Sequence, residues 1–135
     1  MTFLAKPFVA LGFGAFFLCA ATCVHFDSIV PSNWFSWPLD DWAAGVFLVY
    51  GGVLSSRDWS NGRSYQIAAW AFIVSLLFGS FLGNLQASVS HSPDATGATG
   101  LVTISEGPYV VIIGVLFVLA VGALVCSLRS TDRPA

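Results

Sequence analysis

Apolar residues fall into four long runs, at about 4–26, 39–56, 65–87 and 107–128, with short polar connectors at 27–38, 57–64 and 88–106. Each run approaches the roughly 20 predominantly apolar residues that an α-helix needs to cross a hydrocarbon layer about 30 Å thick. The pattern predicts a single all-α integral membrane domain, a bundle of four transmembrane helices spanning residues 1–135. The second run is the weakest, because its strictly apolar stretch covers only 42–54.

Charge placement argues for keeping the second run as a crossing. With four crossings, Lys6, Arg57, Arg63, Arg129 and Arg133 fall on one side and no Lys or Arg falls on the other. Basic residues favour the cytoplasmic side of a span, so the expected topology has the N-terminus and the C-terminus both cytoplasmic. The membrane expected is a bacterial inner membrane or a plasma membrane. Removing the second crossing would send four of the five basic residues to the far side. Aromatic residues agree with the four-crossing scheme: Trp34, Trp37, Trp42 and Tyr109 lie near the outer boundary, and Trp59 and Tyr65 near the inner one, the depth that amphipathic rings prefer. Pro38 followed by Asp40 and Asp41, and Glu106-Gly107-Pro108, read as helix starts. The first run resembles a secretory signal in outline, but its apolar stretch, 8–24, exceeds the usual length of about 7–15 residues, and it is read as a retained helix.

Composition narrows the classes further. Hydrophobic residues make up 56% of the chain and charged residues 9%, against about 25% charged in an ordinary soluble domain. Five Lys and Arg against seven Asp and Glu provide no basic patch for a phosphate backbone, so nucleic acid is excluded as a partner. Cys19, Cys23 and Cys126 lie inside apolar runs and form no C-x-x-C, so they read as small hydrophobes.

Two constellations stand out. The third run carries Ala71, Ser75, Gly79, Gly83 and Ala87, each four residues apart. Residues at this spacing share a helix face, and small side chains there allow backbones to approach closely in lipid. The stripe is a helix-packing interface, used either inside the bundle or against another subunit. If inside, Ala10 and Gly14 of the first run, or Gly114 and Gly122 of the fourth, are its counterparts.

The second constellation is a polar ledge at the outer side. Asp41 precedes Arg57 by sixteen residues, roughly 24 Å of helix. A carboxylate held that deep is costly unless it is paired, wetted or protonated. His25, Asn84, Gln86 and Glu106 reach about the same level, and His91 and Asp94 lie in the loop beside it. Three readings follow: separate caps wetted by water; a cation or proton site on Asp41, Glu106, His25 and Asp40; or a metal or haem site on His25 and His91. No nucleophile elbow, P-loop, H-E-x-x-H or dinucleotide fingerprint occurs, and no cofactor is clearly implied.

A four-span plan invites comparison with claudins and tetraspanins, whose extracellular cysteine motifs are absent here. The sequence points instead to a small non-catalytic subunit that packs among membrane lipid against a larger complex of integral membrane subunits. The alternative is a homo-oligomeric channel or transporter, built from copies of the chain, with an acidic outer vestibule. A membrane oxidoreductase is the third class, and its nitrogen ligands would have to be His25 and His91.

Overall fold

The computed structural model describes residues 3–25, 39–57, 61–90 and 106–129. Those residues form one 3-10 turn, Phe3–Ala5, and four α-helices: α1 (Pro7–His25), α2 (Leu39–Ser56), α3 (Gly62–Ser90) and α4 (Glu106–Arg129). Among the described residues the architecture is all-α, with consecutive helices packed side by side.

The helix ends follow local chemistry. Pro7 starts α1, where its fixed φ suits the first turn and its missing N–H costs nothing. Leu4 belongs to the separate 3-10 turn rather than to α1; Lys6 N donates to the Phe3 carbonyl and Val9 N to the Lys6 carbonyl across the junction, at 3.1 Å each. The third helix runs three residues past each end of its apolar stretch, from Gly62 to Ser90. Arg57 N still bonds the Val53 carbonyl, and Tyr65 N the Asn61 carbonyl, at 3.1 Å each.

Glycines set the helix crossings. A Cβ on Gly14 would lie 2.8 Å from the Val49 side chain and 3.0 Å from the Gly45 carbonyl, and one on Gly45 would lie 2.6 Å from Leu18. One on Gly52 would meet Leu11 at 3.0 Å. The register of α1 on α2 is therefore antiparallel, with 18 and 14 opposite 45–49 and 11 opposite 52. Gly51 lets α2 touch the backbone of Gln66, where an added Cβ would stand 3.0 Å away. Farther along, Phe47 faces Phe72 at a ring separation of 6.5 Å, so α3 is antiparallel to α2.

The third and fourth helices meet through aromatic rings instead. Phe81 stacks on Phe117 at 6.4 Å, and Phe78 tilts against the same ring at 5.8 Å. Gly114 accommodates Phe81, which makes α4 antiparallel to α3. Among the described residues, α4 touches the N-terminal segment through the 3-10 turn and makes no backbone approach to α1.

The core pairs large side chains with small ones. Trp70, Ile73 and Leu77 of α3 are buried with Ala10 and Phe17 of α1, Ala44 and Leu48 of α2, and Ile113, Ala120 and Ala123 of α4. Phe13 reaches in from α1 to Trp70, with ring centroids 5.2 Å apart. Alanine on three helices makes room for bulk on the fourth, the interdigitation that close packing requires.

Outside this core the surface is strongly apolar. Phe8, Phe16, Val46, Phe72, Phe78, Val111, Val115 and Val118 are all exposed. Among the described residues, two helices are long and apolar enough to cross a membrane: 62–86 of α3, with mean hydropathy 1.8, and 108–129 of α4, with mean hydropathy 2.9. The apolar part of α1, 7–23, is shorter than that criterion requires.

Candidate functional site

The small-residue stripe lies on α3 opposite its core face. Gln66, Ala69, Trp70, Ile73 and Leu77 turn inward, spaced three and four apart. Ala71, Ser75, Gly79 and Gly83 are exposed, and Ala87 continues their spacing within the helix. A Cβ on Gly79 or Gly83 would meet nothing within 4 Å. Exposed Phe72, Phe78 and Leu82 stand along the stripe. The outer surface of α3 is therefore a shallow trough bordered by bulky apolar side chains.

Of the two uses open to the stripe, packing inside the bundle or against another subunit, the described residues leave it on the outside. Its suggested counterparts are engaged elsewhere. Ala10 is in the core, Gly14 is closed against α2, Gly114 against Phe81, and Gly122 against Leu4 at 3.6 Å. The glycines that do bring helices together, Gly45, Gly51, Gly52 and Gly62, escaped sequence reasoning because they form no regular four-residue series. Their signal was the seven-residue interval from Gly45 to Gly52, two turns on one face.

At the other constellation, helix direction brings the start of α2, the start of α4 and the end of α1 to one end of the bundle. Asp40 is exposed, and its Oδ1 accepts a hydrogen bond from the Asp41 amide at 3.0 Å. Both carboxylates lie in the first turn of α2, where the helix dipole favours negative charge. Asp41 is half-buried, and its charge is felt at the Tyr109 phenol near the start of α4. Asn84 donates to the Ser80 carbonyl of its own helix at 2.7 Å. Thr22 donates to the Leu18 carbonyl in the same way, at 2.8 Å. These bonds satisfy polar side chains locally without a shared site.

Glu106 opens α4 and His25 closes α1, so both belong to this end by backbone position. His91 and Asp94 lie outside the described residues, as do Trp34 and Trp37. Among the described residues, no three His, Cys, Asp or Glu side chains converge as metal ligands. Cys19 and Cys23 are free and exposed along α1, and Cys126 is free and half-buried.

Three buried polar groups are not marked by the sequence reading. Trp70 is 1% exposed, and its indole N–H has no hydrogen-bond partner among the described residues. Gln66, one turn earlier on the same face, is also buried, as is Ser127 of α4. The sequence signal was a glutamine inside an apolar period.

No family model, no curated protein and no solved structure matches the chain.

Proposed function

We propose that this chain is a small non-catalytic membrane subunit that docks through the outer trough of α3 onto another integral membrane component of a larger complex. In this reading all four helices insert, and both termini face the cytoplasm.

The observation that carries the reading is the empty surroundings of Gly79 and Gly83. Glycine inside a helix costs about 1 kcal/mol relative to alanine. At Gly45 or Gly51 that cost is offset by a close helix crossing. At Gly79 and Gly83 nothing among the described residues offsets it. Close approach by a helix from another chain does, since small-residue faces drive association in lipid by dispersion.

Membrane insertion is supported by where the apolar residues lie. Only 28% of the apolar window of α3 and 22% of that of α4 is buried, whereas the core helix of a soluble protein would be mostly buried. Exposed apolar patches of this extent belong against lipid or protein. The charge pattern supports the same orientation.

Native mass spectrometry of the protein, extracted with mild detergent from its own membrane, tests the proposal. Fixed foreign subunits are expected, and they should be lost from a Gly79→Leu/Gly83→Leu variant. They should persist in Gly12→Leu, since Gly12 also has nothing within 4 Å but lies on α1. A monodisperse particle of this chain alone, with its own transport activity, would overturn the accessory role.

That outcome would favour the second reading, a homo-oligomeric cation channel. The placement of Asp40, Asp41 and Glu106 at one end of the bundle supports it. It requires that flux in liposomes fall in Asp41→Asn.

A further inference from the structure

We propose that the basic end of the bundle binds the headgroups of anionic phospholipids. This rests on the membrane reading above and adds a lipid preference to it. The antiparallel register gathers the residue before α1, the end of α2, the start of α3 and the end of α4 at one end. These positions are Lys6, Arg57, Arg63 and Arg129. Lys6, Arg57 and Arg129 are exposed and Arg63 is half-exposed.

The described carboxylate residues are too distant to neutralise them. Asp40, Asp41 and Glu106 open α2 and α4 at the opposite end, about 24 Å away or more by helix length. Among the described residues this end carries four basic residues and no carboxylate, and the other end carries Asp40, Asp41 and Glu106 with no Lys or Arg. The excess positive charge is therefore directional along the bundle axis.

Fold stability does not account for all of the cations. Arg63 stands in the first turn of α3, which carries no acidic residue and where the helix dipole disfavours a cation. Arg57, just past the end of α2, and Arg129, in the last turn of α4, sit where the dipole favours them.

The aromatic neighbours fit headgroup depth. The Lys6 ammonium lies 5.6 Å from the centre of the Phe8 ring, which packs edge-on to Phe3 at 5.2 Å. Tyr50 and Tyr65, both exposed, pair at 6.0 Å on the same half of the bundle. Rings at this level enter the boundary of the acyl chains while the long basic side chains extend to the phosphates. A surface cation next to an anionic leaflet changes lipid binding by about fivefold.

The experiment uses the full chain in nanodiscs of phosphatidylcholine and phosphatidylglycerol with identical acyl chains, with native mass spectrometry counting the lipids retained. Phosphatidylglycerol should be enriched over its share in the disc. The enrichment should fall by about 25-fold in Arg57→Gln/Arg63→Gln, survive in Arg57→Lys/Arg63→Lys, and survive in Asp40→Asn. Equal retention of both lipids, or an enrichment unchanged in the glutamine variant, overturns the proposal. So does its loss to millimolar inorganic phosphate, which would make free phosphate the ligand. Liposome flotation separates the two levels of inference. A chain that does not float with either lipid refutes the membrane reading, and one that floats with both but shows no preference refutes only this one.

Discussion

Replacing Gly62 with alanine adds one methyl group at the start of α3. An ideal Cβ there overlaps the Leu54 carbonyl oxygen and lies 2.5 Å from the carbonyl carbon and 2.7 Å from the Ser55 amide nitrogen. Comfortable carbon contacts begin near about 3.5 Å. The obstructing atoms are backbone in the last turns of α2, so no rotamer change relieves them, and the α2–α3 turn must open by about 1 Å. Overpacking of this kind costs typically about 1–3 kcal/mol, and a backbone obstacle belongs at the upper end. The better helix propensity of alanine returns at most about 1 kcal/mol. The expected net loss is about 2 kcal/mol, a roughly 30-fold shift in the folding equilibrium. The same substitution at Gly79 or Gly83 meets nothing within 4 Å and should be neutral or slightly stabilising. Thermal unfolding of the purified protein in detergent, followed by near-UV circular dichroism, should rank Gly62→Ala below wild type and Gly83→Ala at or above it. If Gly62→Ala melts with wild type, the tight backbone approach at this turn is wrong.

The indole of Trp70 offers a second test. Trp70→Phe removes a buried donor without a partner, worth about 1–3 kcal/mol, but also some packing volume, so its melting temperature should stay close to wild type. Trp70→Ala should lose about 3–5 kcal/mol. A phenylalanine variant as damaged as the alanine one would mean that the N–H is bonded. At the acidic end, Asp40→Ala removes a carboxylate from the first turn of α2 and should cost about 0.3–1 kcal/mol at low salt, less as salt rises. A loss that does not change with ionic strength would point away from the helix dipole.

Periodicity along the sequence shows which residues share a helix face but not which face turns inward. In a water-soluble helix the polar side marks the outside. In α3 both sides are apolar or small, so the direction of Ala71, Ser75, Gly79 and Gly83 could be settled only by the packing of Trp70, Ile73 and Leu77. The α3 termini were under-read for a related reason. Arg63 and Ser64 resemble connector residues, yet nothing prevents them from continuing a helix beyond an apolar stretch. The acidic end was legible as a level along the chain, because helix rise fixes depth. That Asp40 accepts from the neighbouring Asp41 amide while the Asp41 charge is felt at Tyr109 depends on rotation about the helix axis, which spacing alone does not give.

The two styles of helix contact have a mechanical consequence. Where α1, α2 and α3 cross at glycines, backbone meets backbone, and any sliding drives main-chain atoms into one another. Where α4 leans on α3, the contact is made by the rings of Phe78, Phe81 and Phe117, which can change rotamer and follow a moving neighbour. The first three helices therefore behave as a stiff frame and α4 as a sprung panel hung on it, held at its far end by the Phe3–Ala5 turn. Partial opening of the molecule is expected to begin at the α4 side, where amide hydrogens should exchange before those of the frame.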